Sequence, residues 1–263
     1  MIRVFGAVLG FVVGSLLRIR RAHVVEAMRR AGIARPADVA SAMYAALGTS
    51  VLEFVALARP KVMLQAALDE DSRAKLDSAK ALGRGIVFAA SHTGNWEVAA
   101  YAIAREMKLL VVVKRLSVGF VDRFTKATRD RRGLQLCEGR GAIVHALAQL
   151  AEGGAVAMMI DQVPDRKSHA YPVPFLGQEA FVDRAPAALA ARTGSPLVVS
   201  AARRAADGTQ SLHVLDVIVP PEGADLEWTR RATARATRAL EAFVVEHPSE
   251  WLWMHRRWRA PSA

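Results

Sequence analysis

The chain has 263 residues, 52% of them hydrophobic and 23% charged, and a net charge of +11. This length fits one substantial domain with a closed hydrophobic core, and the composition excludes an intrinsically disordered chain because enough apolar area is available for burial. The single cysteine, Cys137, excludes an intramolecular disulfide and favours a reducing compartment; it ends a short apolar run, so burial is the preferred interpretation and a reactive thiol the alternative.

The N-terminus opens with an apolar run over residues 4–17, flanked by Arg3 and by an arginine-rich cluster over 18–21. This run is shorter than the ~20 residues that usually span a bilayer, so spanning is the less favoured interpretation, and no small-x-small cleavage site marks a signal peptide. We predict a membrane-associated helix over residues 1–21 that lies in the membrane interface, with a buried first helix as the alternative. Residues 22–263 form the domain that follows.

Helical and strand patterns alternate along that domain. Helical periodicity over 22–58 breaks at Gly32, and another helix is predicted over 72–82. The remaining helices are predicted over 98–105, 118–132, 141–152, 184–193 and 226–247, and strands over 86–90, 109–113, 134–137, 155–160, 197–201 and 212–219, with a long loop before residue 184. This order predicts an α/β fold in one domain, with a mostly parallel or mixed central sheet covered by helices on both faces.

The most informative residues follow the first buried strand, where Ser91-His92-Thr93-Gly94-Asn95-Trp96-Glu97 leads into a helix. Sites in open α/β sheets form at the carboxyl ends of strands. On a straight helix His92 and Glu97 would lie about 140° apart, but a turn over 93–95 would let their side chains meet. A histidine held by a carboxylate is a general base that can deprotonate an alcohol. A packed histidine beside an incidental glutamate is the alternative, and no His-Glu-x-x-His helix or cysteine pair supports a metal.

Together with later segments, this motif resembles the His-x4-Asp/Glu motif of the lysophospholipid acyltransferase superfamily. The form is that of the late acyltransferases of lipid A biosynthesis and of the phosphatidylinositol mannoside acyltransferases. The other similar segments, in matching order, are Gly139-Arg140-Gly141-Ala142, Ile160-Asp161-Gln162 with 173–177, 186–196, and His247 to Trp258. The resemblance covers residues 20–260.

The resemblance implies direct acyl transfer without a covalent intermediate, metal or other cofactor. His92 would remove the proton of a hydroxyl, the alkoxide would attack an acyl thioester, and Glu97 would stabilise the imidazolium.

The resemblance also suggests substrate-binding residues. Arg140 is expected to bind a phosphate. Asp161 is expected to orient Arg140 or a donor group, Asn95 to stabilise the oxyanion with backbone N–H groups near Gly94, and Gln162 to contact substrate. The tryptophans of segment 251–258 form either an interfacial aromatic belt or a cap on the core.

Three basic segments bear on the partners. Residues 1–60, 114–141 and 228–263 carry net charges of +5, +5 and +4, which attract anionic membranes, phosphorylated substrates or acidic proteins; arginines on solvated faces are the alternative interpretation. The resemblance implies an acyl carrier protein or acyl-CoA as donor, a glycolipid such as a lipid A precursor as acceptor, and the cytoplasmic face of the bacterial inner membrane as location.

Other functional classes find less support in the sequence. Nucleic-acid binding is not expected, because no finger, helix-turn-helix or RNP-like pattern is present. A serine hydrolase would need a Gly-x-Ser-x-Gly elbow, which is missing from the sequence. A catalytically silent lipid-binding protein of the same fold remains the alternative function.

Overall fold

The computed structural model describes residues 1–261, except for the side chain of Arg140. The α-helices are α1 (Ile2–Phe11), α2 (Arg21–Arg30), α3 (Pro36–Leu57), α4 (Glu70–Ala81), α5 (Trp96–Ala104), α6 (Gly119–Asp130), α7 (Ala142–Ala151), α8 (Ala185–Thr193) and α9 (Leu226–Glu246). The strands are β1 (Ala66–Ala67), β2 (Ile86–Ala90), β3 (Leu109–Val112), β4 (Leu134–Cys137), β5 (Ala155–Met159), β6 (Ala170–Phe175), β7 (Gln178–Asp183), β8 (Leu197–Arg204) and β9 (Gln210–Ile218). The predicted α/β elements from residue 70 onward are present, with ends within three residues of the prediction.

Seven strands form one sheet in the order β1-β9-β8-β2-β5-β3-β4. Within the described residues β8 and β9 are its one antiparallel pair, so the predicted mostly parallel or mixed sheet is confirmed. Strands β2 and β5 are hydrogen-bonded neighbours near the middle, and their carboxyl ends lie side by side. This adjacency positions the candidate site.

Helices cover both faces of the sheet, as predicted. Along β2, Ile86 and Phe88 pack with residues of α4 and α5, whereas Val87 and Ala89 pack with residues of α8 and α9. All four side chains are buried, which explains the continuous apolar run of a central parallel strand. Cys137 is buried at the end of β4, in agreement with the preferred interpretation.

An antiparallel hairpin of β6 and β7 replaces the predicted long loop before α8. Strand β6 buries Tyr171, Val173 and Phe175, while Pro172 and Pro174 between them face solvent. Two prolines conceal the strand pattern, but a two-stranded ribbon tolerates them because each strand keeps an unpaired edge. The turn residues Leu176 and Gly177 both have positive φ, the conformation of a tight two-residue hairpin turn.

The N-terminal helix α1 packs tightly against α3. Gly6 and Gly10 of α1 contact the α3 backbone so closely that an added Cβ would lie 2.4 Å from Thr49 Cα and 2.2 Å from the Tyr44 carbonyl oxygen, respectively. Beyond α1, one π-helical turn runs over Val12–Leu16. In the described part of the chain, α3 is long and apolar enough to cross a membrane, and Ile2–Leu16 with Arg21–Arg30, bent by 88°, meet the same criterion together.

Candidate active site

The site is built where β2 and β5 end next to each other. His92 follows β2 and Asp161 follows β5, and the His92 Nδ1 lies 2.9 Å from Asp161 Oδ1. The His92 backbone N–H and the Trp251 indole N–H donate to Asp161 Oδ2 at 2.8 and 3.0 Å. Asp161 is fully buried. Three hydrogen bonds therefore fix the position of the Asp161 carboxylate, and one of them fixes the orientation of the His92 imidazole.

The surroundings of Asp161 favour its ionised form. Burial acts to raise the pKa of the Asp161 carboxyl, but the charge and hydrogen bonds of His92, with the charge of His255, hold that pKa below its ordinary value. A carboxylate at Nδ1 favours the tautomer with the proton on Nδ1, which leaves the Nε2 lone pair of His92 available as a base.

The Nε2 of His92 faces the amide of Gln162. Gln162 Nε2 lies 3.3 Å from His92 Nε2 and 3.1 Å from His255 Nε2, and it bridges the two rings. Burial lowers the pKa of His255 to about 4, so His255 is neutral near pH 7 and accepts from the amide. The structure thus brings the predicted residues His92, Asp161 and Gln162 together.

Glu97 lies in the same cavity, but His92 is hydrogen-bonded to a different carboxylate. Arg129 of α6 donates from Nε and Nη2 to Glu97 at 3.1 and 2.6 Å, in a bidentate ion pair. Among the described side chains no hydrogen bond joins His92 to Glu97. The expected contact between His92 and Glu97 is replaced by the contact between His92 and Asp161, because Asp161 ends the neighbouring strand and points at Nδ1. The catalytic role of Glu97 stays a prediction.

Asn95 lies away from the cavity that contains His92 and Glu97. Its side-chain oxygen caps α5 by accepting from the Val98 N–H at 3.3 Å, and its amide donates to Glu53 Oε2 at 2.7 Å. The Gly94 N–H is taken by the carbonyl of Glu250 at 2.8 Å. These groups therefore already have structural partners, and the role of Asn95 and of backbone N–H groups near Gly94 in stabilising an oxyanion stays a prediction.

The predicted roles of Arg140 and Asp161 stay untested by the contacts of the described residues. The side chain of Arg140 lies outside the described residues, so its phosphate-binding role stays a prediction; its neighbour Gly139 lines the cavity. Asp161 contacts Nδ1 of His92 at 2.9 Å, and its expected role in orienting Arg140 or a donor group stays a prediction.

A cavity of about 580 Å³ opens in front of His92. The polar and charged side chains of its lining are His92, Glu97, Arg129 and Gln162, together with Ser91, Lys114, His169, Asp183 and Ser200. Its remaining wall is largely apolar, formed by α5 and the sheet, and includes Phe88, Ala99, Ala100, Ile103, Leu109, Val111, Leu134, Ala157, Ala202 and Leu212. The volume falls within the ~300–1,000 Å³ of ligand pockets, and this mixture of apolar and polar side chains suits an amphipathic ligand.

From the sequence, no role in the site was assigned to Arg129 or Trp251. Arg129 pairs with Glu97 from 32 positions away, and the indole of Trp251 completes the Asp161 contacts. Trp251 and Trp253 are almost fully buried, so these tryptophans cap the core and do not form an interfacial belt. The Trp251 signal lay in the C-terminal segment that resembles the family, whereas no local pattern marked Arg129.

The fold and the site define a class of protein. It is an α/β protein with a mixed sheet, a His–Asp pair at the carboxyl ends of two neighbouring strands, and a largely apolar cavity beside that pair. Residues 32–260 match the family model "Bacterial lipid A biosynthesis acyltransferase". The chain belongs to this acyltransferase family, as the resemblance implied.

Other comparisons add little. No curated protein matches the chain. Among solved structures, it is similar to the X-ray structure of the Legionella pneumophila ATPase DotB, with 12% identity and a TM-score of 0.30. This match covers 73% of the chain and 60% of the DotB chain, and a likeness this weak carries no functional argument.

Proposed function

We propose that the protein transfers a fatty acyl chain from an acyl thioester to a hydroxyl of a glycolipid of the lipid A type. The observation that carries the proposal is the His92 imidazole, held at Nδ1 by buried Asp161 while Nε2 faces the cavity. Membership of the bacterial lipid A biosynthesis acyltransferase family supports the reaction class and the type of acceptor.

The proposed step is a direct transfer. Nε2 of His92 takes the proton of the acceptor hydroxyl, and the alkoxide oxygen attacks the thioester carbonyl. The tetrahedral adduct collapses, the C–S bond breaks, and the thiolate receives the proton from the imidazolium. Asp161 stabilises the imidazolium in between, and no acyl-enzyme forms.

Gln162 is suited to bind the acceptor. Its amide occupies the position 3.3 Å from His92 Nε2 that a reacting hydroxyl must reach. We expect the acceptor hydroxyl to displace this amide from His92, after which Gln162 still donates to His255 or to the acceptor oxygen.

The apolar wall of the cavity is the proposed site of the acyl chain. On α5 it begins beside Glu97 and extends to Ile103, about 9 Å further along the helix axis by the rise of 1.5 Å per residue. A chain bound there has its thioester near His92.

The partners and the location are part of the proposal. We expect acyl carrier protein or acyl-CoA as donor, and Arg140 to contact a phosphate of donor or acceptor. The exposed apolar side chains of α1, such as Phe5, Val8 and Phe11, support attachment through residues 1–21 to the cytoplasmic face of the bacterial inner membrane.

The decisive experiment measures transfer from labelled acyl carrier protein and acyl-CoA to a panel of phosphorylated glycolipids. We expect transfer by the wild type and a loss of at least about 10³-fold for His92→Ala. Leu226→Ala, a change at an exposed site on α9, is the control and should have wild-type activity. Full activity of His92→Ala would overturn the mechanism. Lipid binding without any transfer by the wild type would instead support a catalytically silent lipid-binding protein.

A further inference from the structure

Helix α6 has its polar side turned inward. The side chains buried against the protein are Asp122, Thr125 and Thr128. Phe120 and Val121, in contrast, are 71% and 44% exposed. A helix on a water-facing surface shows the opposite arrangement, with apolar residues toward the core. The first turn of α6 therefore exposes large apolar side chains, whereas the exposed Arg123 and Asp130 lie further along the helix.

The inward polar contacts fix the start of α6 in place. Asp122 accepts a hydrogen bond from the Leu116 backbone N–H at 2.9 Å and pairs with Lys126 at 2.8 Å. These contacts close the segment before the helix into a defined loop. The apolar side chains of this segment are thus presented by a fixed backbone.

The exposed apolar residues of this region border the mouth of the cavity. Leu116 and Ile143 both line the cavity and are both 43% exposed. We define the α6 patch by its exposed apolar side chains, which are Leu116, Val118, Phe120, Val121, Ile143 and Val144. Several exposed large apolar side chains around the opening of a cavity are typical of an interaction site.

Aromatic contacts join the α6 patch to the N-terminal helices. Phe120 stacks on Phe124 at 6.5 Å between ring centroids, and Phe124 meets Phe54 of α3 edge to face at 6.1 Å. The same stretch of α3 exposes Val51 and Val55, and α1 packs along α3 with its own apolar residues exposed. Exposed apolar side chains thus extend from α1 across α3 to the cavity mouth.

Unpaired cations accompany the patch. Arg115 and Arg123 are exposed, and neither has a salt-bridge partner among the described side chains, whereas Lys114 pairs with Asp165 at 2.8 Å. Apolar side chains flanked by free arginines suit an anionic bilayer surface, where the former enter the acyl boundary and the latter meet phosphates.

We propose that the α6 patch is a second membrane contact, which seats the mouth of the cavity on the same anionic leaflet as the proposed attachment through α1. The occupant is the bilayer itself, because the patch is apolar and joined to the N-terminal helices. A lipid would then pass between leaflet and cavity without crossing water. The attachment of α1 and the passage of lipid into the cavity both rest on the proposed function, whereas contact of the α6 patch with a bilayer can be measured without any transfer.

The contact is tested with an environment-sensitive fluorophore on the full chain. In a Cys137→Ala background, single cysteines are placed by Phe120→Cys, Leu226→Cys and Phe11→Cys and labelled with NBD. Positions 120 and 226 are matched, because both wild-type side chains are 71% exposed. The vesicles contain phosphatidylethanolamine and phosphatidylglycerol, with or without a doxyl-labelled lipid.

We expect a blue shift and quenching by the doxyl lipid for labels at positions 120 and 11, and neither effect at 226. A label at 120 that stays in water while the label at 11 inserts would overturn the proposal. A blue shift at 120 caused by acyl carrier protein without vesicles, and absent with vesicles, would also overturn it in favour of a protein-docking surface.

Activity provides an independent readout. Phe120→Asp should reduce transfer to an acceptor embedded in vesicles by roughly tenfold or more, and leave transfer to the same acceptor in detergent micelles unchanged, while Leu226→Asp changes neither. Equal losses in vesicles and micelles would contradict a membrane role. If the wild type transfers nothing, the proposed function fails, and the fluorescence result still decides the membrane contact.

Discussion

The buried carboxylates of Asp161 and Glu53 both have all their hydrogen-bond donors in place, and comparing them shows what a site needs besides such a network. Asp161 accepts from His92 and Trp251, and Glu53 of α3 accepts from Arg204 and other donors of the core, including Gln210 at 3.1 Å. Both are buried and both hold a nitrogen base or cation. Among the described residues, His92 beside Asp161 lines the 580 Å³ cavity, whereas Asn95, Arg204 and Gln210, which bind Glu53, do not. The region of Asp161 differs from that of Glu53 because its imidazole lines a cavity, with Nε2 of His92 next to the amide of Gln162, another residue of the cavity lining.

The largest expected effect is the loss of activity in Asp161→Asn. The amide can donate to His92 Nδ1, which moves the ring proton to Nε2 and removes the base. We expect a decrease in kcat of about 10³–10⁴-fold, with a small change in the free energy of unfolding. Steady-state kinetics and urea unfolding of the same preparation separate the two quantities. A variant within tenfold of wild-type activity would show that Asp161 does not orient the base.

The buried region around Glu53, away from the cavity, should give the reverse result, a loss of stability with little loss of activity. Glu53→Ala leaves Arg204 buried without its bidentate partner, at present 2.6 Å away through both nitrogens. We expect the free energy of unfolding to fall by about 3–5 kcal/mol, while the folded fraction keeps activity at low temperature.

A matched double variant sharpens this test. Glu53→Met with Arg204→Leu removes both charges and should recover part of the lost stability, because no unpaired charge remains buried. If Glu53→Ala abolished activity without loss of stability, the distinction between the two regions would collapse.

Glu97 and Arg129 lie between these extremes, since they line the cavity and also form a bidentate pair. If Glu97 acts by positioning Arg129, then Glu97→Ala and Arg129→Ala lose similar activity, about 10²-fold, and the double variant loses no more. Arg129→Lys should not restore activity, because an ammonium cannot pair bidentately.

The double-mutant cycle also tests the predicted catalytic role of Glu97. If Glu97 contacted His92 during turnover, Glu97→Ala would be far more damaging than Arg129→Ala. The kcat values of the four proteins in the cycle decide between these outcomes.

The sequence predicted the fold well where apolar runs were continuous. Parallel strands such as β2 and β5 lie in the middle of the sheet and expose none of their side chains fully, so their apolar signal is strong and local. The β6–β7 hairpin was taken for a loop because Pro172 and Pro174 occupy its outward positions. A register between two strands is a tertiary property, and a single-segment pattern with prolines could not reveal it.

The sequence predicted which residues belong to the site better than it predicted which of them contact each other. His92, Glu97 and Gln162 all line the cavity, as their positions after strands suggested. The spacing of His92 and Glu97 indicated a pair, yet Asp161, 69 residues away from His92, forms the contact. Strand order decides which carboxylate meets the imidazole, and that order is not encoded in local spacing.

The smallest expected effect concerns His255, which contacts the Gln162 amide that also contacts His92. Burial lowers its pKa to about 4 from an ordinary value near 6.5. As pH falls below 6.5 the unfolded chain gains a proton that the folded chain does not, so stability declines from pH 6.5 to 4. We expect His255 to account for about 1–2 kcal/mol of this decline, after allowance for its partial exposure.

The variant His255→Gln removes the ionisation and keeps a polar partner for Gln162. Urea unfolding at pH 7 and at pH 5 should therefore show a smaller loss of stability in the variant than in the wild type. His213 and His247 also have pKa values lowered by burial and contribute with the same sign, so the share of His255 is the difference between the two proteins. Identical pH dependence in both would mean that His255 is solvated or already charged in the folded protein, and that the bridge through Gln162 does not hold it neutral behind His92.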